Sequence, residues 1–229
     1  MSDFPIKLLI NGQWLDGSEA KKLTIINPAS EEPIAEVSSA TADETGQAVE
    51  AGQAAFESIW RDMPPGKRAE LLQNLAKYIR KNVETIAQLE TRNVGKPIGD
   101  ARWEADAGAK VFEYYAGAIG HLCGQTIPVA RGGFNFTVRQ PMGVIAAITP
   151  WNFPFLIACW KVAPALAAGN SVVLKPASLT PLTALILGQL AQEAGLPDGV
   201  LQVLPGSGSV TGNTLATHPL VRKIGFTGS

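Results

Sequence analysis

The stretch formed by residues 143–178, GVIAAITPWNFPFLIACWKVAPALAAGNSVVLKPAS, decides the fold. It opens on Gly143-Val144-Ile145-Ala146-Ala147-Ile148, an unbroken apolar run of strand length. A strand that meets water on neither face loses its apolar–polar alternation, so this run suits a covered parallel strand. Thr149-Pro150-Trp151-Asn152-Phe153-Pro154 then breaks it. Its two prolines remove backbone donors and fix φ, which predicts a rigid turn at the strand's carboxyl end. From Pro154 the apolar positions Phe155, Ile157, Ala158, Val162, Ala165 and Leu166 follow a helical period, and Gly169 closes it as a left-handed cap. Ser171-Val172-Val173-Leu174 returns to strand, and Lys175-Pro176-Ala177-Ser178 to polar turn. Strand, turn, helix, strand, turn is a βαβ unit. Ligands of open α/β sheets sit outside the carboxyl ends of the strands, where both polar turns fall.

The same rhythm continues downstream. Thr180-Pro181 predicts a cap and a first helical residue, Leu182, Leu185, Ile186 and Leu190 an apolar face, and Gly195 with Pro197 a stop. Residues 200–204 predict a third strand and 221–226 a fourth, with the glycine-rich turn Gly206-Ser207-Gly208-Ser209-Val210-Thr211-Gly212 and a short helix between them. Thr227-Gly228-Ser229 opens another turn, at which the sequence reads as interrupted.

Upstream, residues 7–14 read as a short strand with Asn11-Gly12 as a turn signal, and Thr24-Ile25-Ile26 as another strand. Amphipathic helices are predicted over 44–59 with Asp43 as cap, from Pro64-Pro65 with Leu71, Leu72, Leu75 and Ile79 on one face, over 84–94, and over 101–119. Residues 126–141 predict a projecting β-hairpin. An exposed apolar hairpin invites partner strands, which points to a homo-oligomer. The division expected is 1–125 for N-terminal strands and helices, 126–141 for the hairpin and 142–229 for the βα units.

The bulk numbers bound the function. The 229 residues are 46% hydrophobic and 17% charged, with a net charge of −1. This balance gives no electrostatic reason to expect nucleic acid or an anionic membrane as partner. No segment approaches the ~18 apolar residues that span a bilayer, and the first residues lack a basic leader, so the cytoplasm is expected. Cys123 and Cys159 have no metal-ligand spacing and read as buried, unpaired thiols. No metal site is expected.

Several residues in the strand-end turns can carry chemistry. Backbone amides of the 206–212 turn can face a phosphate, although its glycine spacings of two and four differ from the usual dinucleotide fingerprint. Lys175, in the same sheet, either adds to that phosphate-facing turn or is a solvated surface lysine. The Asn152 amide either holds its own turn or donates to a developing oxyanion. Trp151, Trp160 and Phe153 read as packing residues or pocket walls, and His121 and His218 as structural.

Taken together, these motifs resemble the amino-terminal half of the aldehyde dehydrogenase superfamily. The resemblance rests on Pro150-Trp151-Asn152-Phe153-Pro154, the run from Lys161 to Asn170, Lys175-Pro176-Ala177-Ser178 and Phe226-Thr227-Gly228-Ser229, in that order and spacing. Ile26-Asn27-Pro28-Ala29 and Tyr114-Tyr115-Ala116-Gly117 add to it. It implies an α/β fold: a Rossmann-like parallel sheet with flanking helices, an N-terminal helical region and a projecting hairpin for oligomerisation, truncated before the catalytic domain. The implied cofactor is NAD or NADP. Asn152 matches the oxyanion donor. Ile148, Thr149, Pro150 and Trp151 match the cofactor wall, Lys175 and Ser178 the adenosine ribose, and Gly208 and Gly212 the adenine side. Phe226, Thr227, Gly228 and Ser229 match the stretch beneath pyrophosphate and nicotinamide. Phe153, Ile157 and Trp160 match walls of the substrate tunnel. Glu104, after Trp103, resembles the acidic mouth of amino-aldehyde relatives, against a plain reading as a solvated helix face.

Two departures qualify the resemblance. The family's cysteine nucleophile and glutamate base lie downstream of Phe-Thr-Gly-Ser, and neither Cys123 nor Cys159 stands in the nucleophile's place. Ser178 stands where many NAD-dependent relatives carry glutamate, which implies relaxed use of NADP. The expectation is the N-terminal part of an NAD(P)-dependent aldehyde dehydrogenase that oxidises an aldehyde to a carboxylic acid through a thioester, inactive by itself. The alternative is a catalytically silent nucleotide-binding or assembly module.

Overall fold

The computed structural model of the chain describes residues 4–18 and 22–228. Strands β1 (Leu8–Ile10) and β2 (Gln13–Leu15) form a hairpin through Asn11 and Gly12, whose φ values of 48° and 75° match the twist of a tight two-residue turn. Strands β3 (Lys22–Ile26) and β4 (Pro33–Ser38) pair as a second, separate hairpin. Helix α1 (Ala42–Ala55) follows and ends in a π-helical turn, Phe56–Trp60. Its cap is Thr41, not the predicted Asp43. The Thr41 hydroxyl accepts from Glu44 N while the Glu44 carboxylate takes Thr41 N, a reciprocal box that Asp43 has no geometry to make. Then come α2 (Pro65–Lys81), α3 (Val83–Val94) and α4 (Ile98–Ala118), with Leu71, Leu72, Leu75 and Ile79 buried on one face of α2. Among the described residues no helix is long and apolar enough to cross a membrane.

Between α4 and the sheet, β5 (Thr126–Ile127) and β6 (Asn135–Phe136) pair as a short exposed ladder, with Phe134, Phe136 and Val138 open to solvent. The βα units follow: β7 (Val144–Ile148), α5 (Pro154–Ala167), β8 (Ser171–Lys175), α6 (Leu182–Glu193), β9 (Leu201–Val203), a π-helical turn at Gly208–Gly212, α7 (Asn213–Thr217) and β10 (Val221–Phe226). Thr180 does not cap α6; its hydroxyl donates to Trp151 O instead, 3.0 Å away.

The six-stranded sheet runs β10-β7-β8-β9-β1-β2, with β10, β7, β8 and β9 parallel and the β1–β2 hairpin antiparallel at the edge. Strands β7, β8 and β9 are covered on both faces, while β10 and β2 at the two edges are largely exposed. Val144, Ala146 and Val173 pack in one layer with Ala48 and Val49 of α1, while Ile145, Ala147, Val172 and Leu174 pack in the other beneath α5 and α6. Neighbouring residues of one strand thus serve opposite cores, which is why β7 and β8 read as continuous apolar runs. Two buried amides pin the sheet. Gln202 accepts from Asn11 N and donates to Ala48 O, and Asn170 accepts from Met142 N and Gly143 N where β7 begins.

Candidate functional site

The parallel register sets Ile148 between Lys175 of β8 and Phe226 of β10, all at carboxyl ends. Thr149 N then donates to Lys175 O and Thr227 N to Ile148 O, each at 3.1 Å. From β7 the chain steps through β8 to β9 on one side, and β10 returns on the other. Strand β7 thus has β8 on one side and β10 on the other, a change of strand order at which an open α/β sheet leaves a crevice. A cleft of about 710 Å³ lies there. Ile148, Thr149, Pro150, Trp151, Lys175, Gly208, Gly212, Phe226, Thr227 and Gly228 all line it. Ser229 lies outside the described residues. Ala177 and Ser209, within the two turns already singled out, line it too, and so do Asn213, Ala216 and Ile224, which the sequence alone does not single out. Ile224 was discernible, because it shares a strand face with Phe226 two residues on.

Lys175 is the charged centre of this cleft. It is 4% exposed, and its ammonium donates to Pro176 O at 2.9 Å. Among the described residues no carboxylate pairs with it, and burial pushes its pKa down to about 8. The opposite wall is the Gly208–Gly212 turn, capped by Ser207, whose hydroxyl accepts from Val210 N at 3.1 Å. A Cβ on Gly208 would meet nothing within 4 Å, and one on Gly212 would lie 3.7 Å from Lys175 Cε. Neither glycine has a positive φ, so their small size serves the open space beside Lys175 rather than the backbone. Ser178 borders the cleft without lining it. Its hydroxyl donates to Gly206 O at 2.9 Å, so its one proton is already committed.

Asn152 is exposed on the turn between β7 and α5 and does not line the cleft. Trp151 and Trp160 are each 55% exposed, so neither is a packing residue. Phe153, Ile157 and Trp160 recur at helical spacing on one side of α5, exposed or half-buried. Trp160 joins Lys110, Val111, Tyr114 and Tyr115 in a separate groove of about 400 Å³ between α4 and α5. The structure thus separates these three from the strand-end cleft.

Glu104 is no solvated helix position. It is 2% exposed, and both its oxygens accept from Lys96 Nζ, at 2.7 and 2.8 Å. Burial pushes its pKa up, with Lys96 opposing. The same ammonium lies 3.1 Å from Glu90 Oε2. Sequence alone did not single out Glu90 or Lys96.

Cys159 is fully buried and its thiol is pushed well above its ordinary pKa, first by burial and then by the charge of Glu90, so it stays protonated and unreactive. Cys123 is exposed, contrary to expectation, because it lies just past the end of α4, where the chain leaves the core for the exposed hairpin. Among the described residues no cluster of His, Cys, Asp and Glu could hold a metal.

A largely parallel sheet flanked by helices, with a lysine-bearing cleft at its switch point, defines an open α/β protein with its crevice where such folds hold ligands. Residues 14–229 match the aldehyde dehydrogenase family, and the chain belongs to it. It is 43% identical over 226 residues to human retinaldehyde dehydrogenase 3, covering 97% of this chain and 44% of that protein. The NAD+ complex of an aldehyde dehydrogenase from Bacillus cereus superposes with a TM-score of 0.95 at 40% identity, over 98% of this chain and 46% of that one. An NADP-dependent enzyme of E. coli also gives 0.95, at 39% identity, over 98% of this chain and 47% of that one. The chain spans about half the length of the relatives it matches, as the amino-terminal portion of an aldehyde dehydrogenase.

Proposed function

We propose that this chain forms the NAD(P)-binding and oxyanion-stabilising portion of an enzyme that oxidises an aldehyde to a carboxylic acid through a thioester. The carrying observation is the switch-point cleft with its buried, carboxylate-free Lys175. The residues present fit a dinucleotide. An ammonium without a counter-charge suits ribose hydroxyls or a phosphate, and Gly208 leaves room for close approach. A bound nicotinamide cofactor would supply the hydride acceptor. Lys175 and the Ser178 position would hold the adenosine ribose, and Gly208 and Gly212 would admit the adenine side. Ile148, Thr149, Pro150 and Trp151 would form one wall, with Phe226, Thr227, Gly228 and Ser229 beneath pyrophosphate and nicotinamide. Relatives described with NAD+ and as NADP-dependent support either cofactor.

The exposed Asn152 amide would donate to the tetrahedral oxyanion, and Phe153, Ile157 and Trp160 would wall the aldehyde's approach with apolar surface. The nucleophilic cysteine and the base belong to the part of the family's length that these residues do not span, so turnover requires that part as well. The apolar hairpin of residues 126–141 would pair with another subunit in a homo-oligomer.

Asn152→Ala tests the chemical half of this reading. Removing one oxyanion donor costs ~10²–10³ in turnover. In the catalytically complete protein kcat should fall by that factor while cofactor affinity is kept. An unchanged kcat removes Asn152 from the mechanism, and a wild type that binds NAD or NADP but oxidises no aldehyde reduces the chain to a binding module.

A further inference from the structure

The turn that carries Asn152 has few anchors of its own. Trp151, Asn152 and Phe153 are exposed, Pro150 and Pro154 lack an N–H, and α5 starts with no side-chain cap on Phe153. Its anchors come from elements distant in sequence. Glu90 of α3 accepts from Phe155 N at 3.2 Å, the first amide that α5 presents after Pro154. A carboxylate there is favoured by the positive end of the helix dipole. The same Glu90 oxygen accepts from the Thr183 hydroxyl at 2.6 Å, which fixes its direction. Lys96, in the link between α3 and α4, sits 4.8 Å over the Phe153 ring as well as between Glu90 and Glu104.

We infer that Glu90, Lys96 and Glu104 are positioning residues for Asn152, an inference that rests on the oxyanion reading of that amide. The three charges are almost completely buried, and an apolar filling of similar volume is often at least as stable. Their use is directional. Glu90 fixes where α5 begins, and Lys96 fixes the ring of the residue next to Asn152. Glu104 keeps Lys96 from being drawn wholly to Glu90. The amide of Asn152 is thereby held between two pinned neighbours, Phe153 by the cation and Trp151 by Thr180.

The test uses Lys96→Met, Lys96→Arg and the triple variant Glu90→Gln/Lys96→Met/Glu104→Gln in the catalytically complete protein. The triple variant removes every buried charge of the cluster and so keeps the protein foldable if Lys96→Met alone does not fold. Misplacement by about 1 Å can cost ~10² in rate. Lys96→Met and the triple variant should lower kcat roughly 10- to 100-fold with KM and cofactor affinity little changed, and Lys96→Arg should recover most of the loss. In an Asn152→Ala background the triple variant should lower kcat no further. An equal loss with and without Asn152 would overturn the inference. A wild type without aldehyde turnover would refute the oxyanion reading instead. Crystal structures of the variants then decide the positioning: a displaced Asn152 amide supports it and an unmoved one rejects it.

Discussion

Two buried lysines mark two different solutions to the same electrostatic problem. Lys96 is enclosed by Glu90 and Glu104 and covered by Phe153, so its charge is matched within the fold. Lys175 is buried more deeply still, yet it has only the Pro176 carbonyl and a pKa pushed down to about 8. Protein interiors match a buried charge or weaken it, and an unmatched one facing a cleft is the usual mark of a ligand site. The first lysine is matched inside the fold and set over the neighbour of Asn152, and the second faces a cleft without a matching carboxylate among the described residues.

The sharpest way to break the comparison is to remove each charge. Lys96→Met leaves two buried carboxylates without their cation and should destabilise the fold by about 3–5 kcal/mol. Lys175→Met removes a charge that the fold does not compensate, and should stabilise it by roughly 1–3 kcal/mol. Denaturant unfolding of both variants checks the opposite signs. A loss of stability at both sites would mean that Lys175 has a structural partner after all.

A smaller effect follows from pH. Because the folded pKa of Lys175 is about 8 rather than 10.5, the unfolded chain holds a proton between these values that the folded chain has released. Stability should therefore rise with pH across 8–10.5 on account of this residue. The half-buried Lys161, also shifted down, acts in the same direction in any Lys175 variant. The difference between wild type and Lys175→Met should isolate the Lys175 contribution, and parallel curves for the two proteins would refute it.

The smallest change is Gly208→Ala. The added methyl meets open space, so unfolding should shift by less than ~0.5 kcal/mol while NAD or NADP binds several-fold more weakly. Unaltered binding would take this turn out of the site.

How much of this was legible in the sequence depended on the range of the forces involved. The runs at β7 and β8 were readable because a doubly covered strand leaves its mark in consecutive residues. Thr41-Ala42-Asp43-Glu44 contains the T-x-x-E pattern of a capping box, so the cap at Thr41 is legible in the sequence beside the competing Asp43. The cleft lining was largely readable from the turns at strand ends. The Glu90–Lys96–Glu104 cluster was not. Its members touch only because α3 and α4 pack together beside the start of α5, and no local pattern announces a charge that tertiary structure will bury. The same holds for Gln202 and Asn170, whose partners lie on other elements.

The central claim, that the Lys175 cleft takes a nicotinamide dinucleotide, is tested most directly by calorimetric titration of NAD and NADP into wild type and Lys175→Met at pH 7 and pH 9. A hydrogen bond from a charged group contributes about 1.5–3 kcal/mol, so the variant should bind ~10- to 100-fold more weakly. Wild-type affinity should itself fall between the two pH values, as the ammonium with a pKa of about 8 loses its proton. Equal affinity in both proteins at both pH values would contradict the account.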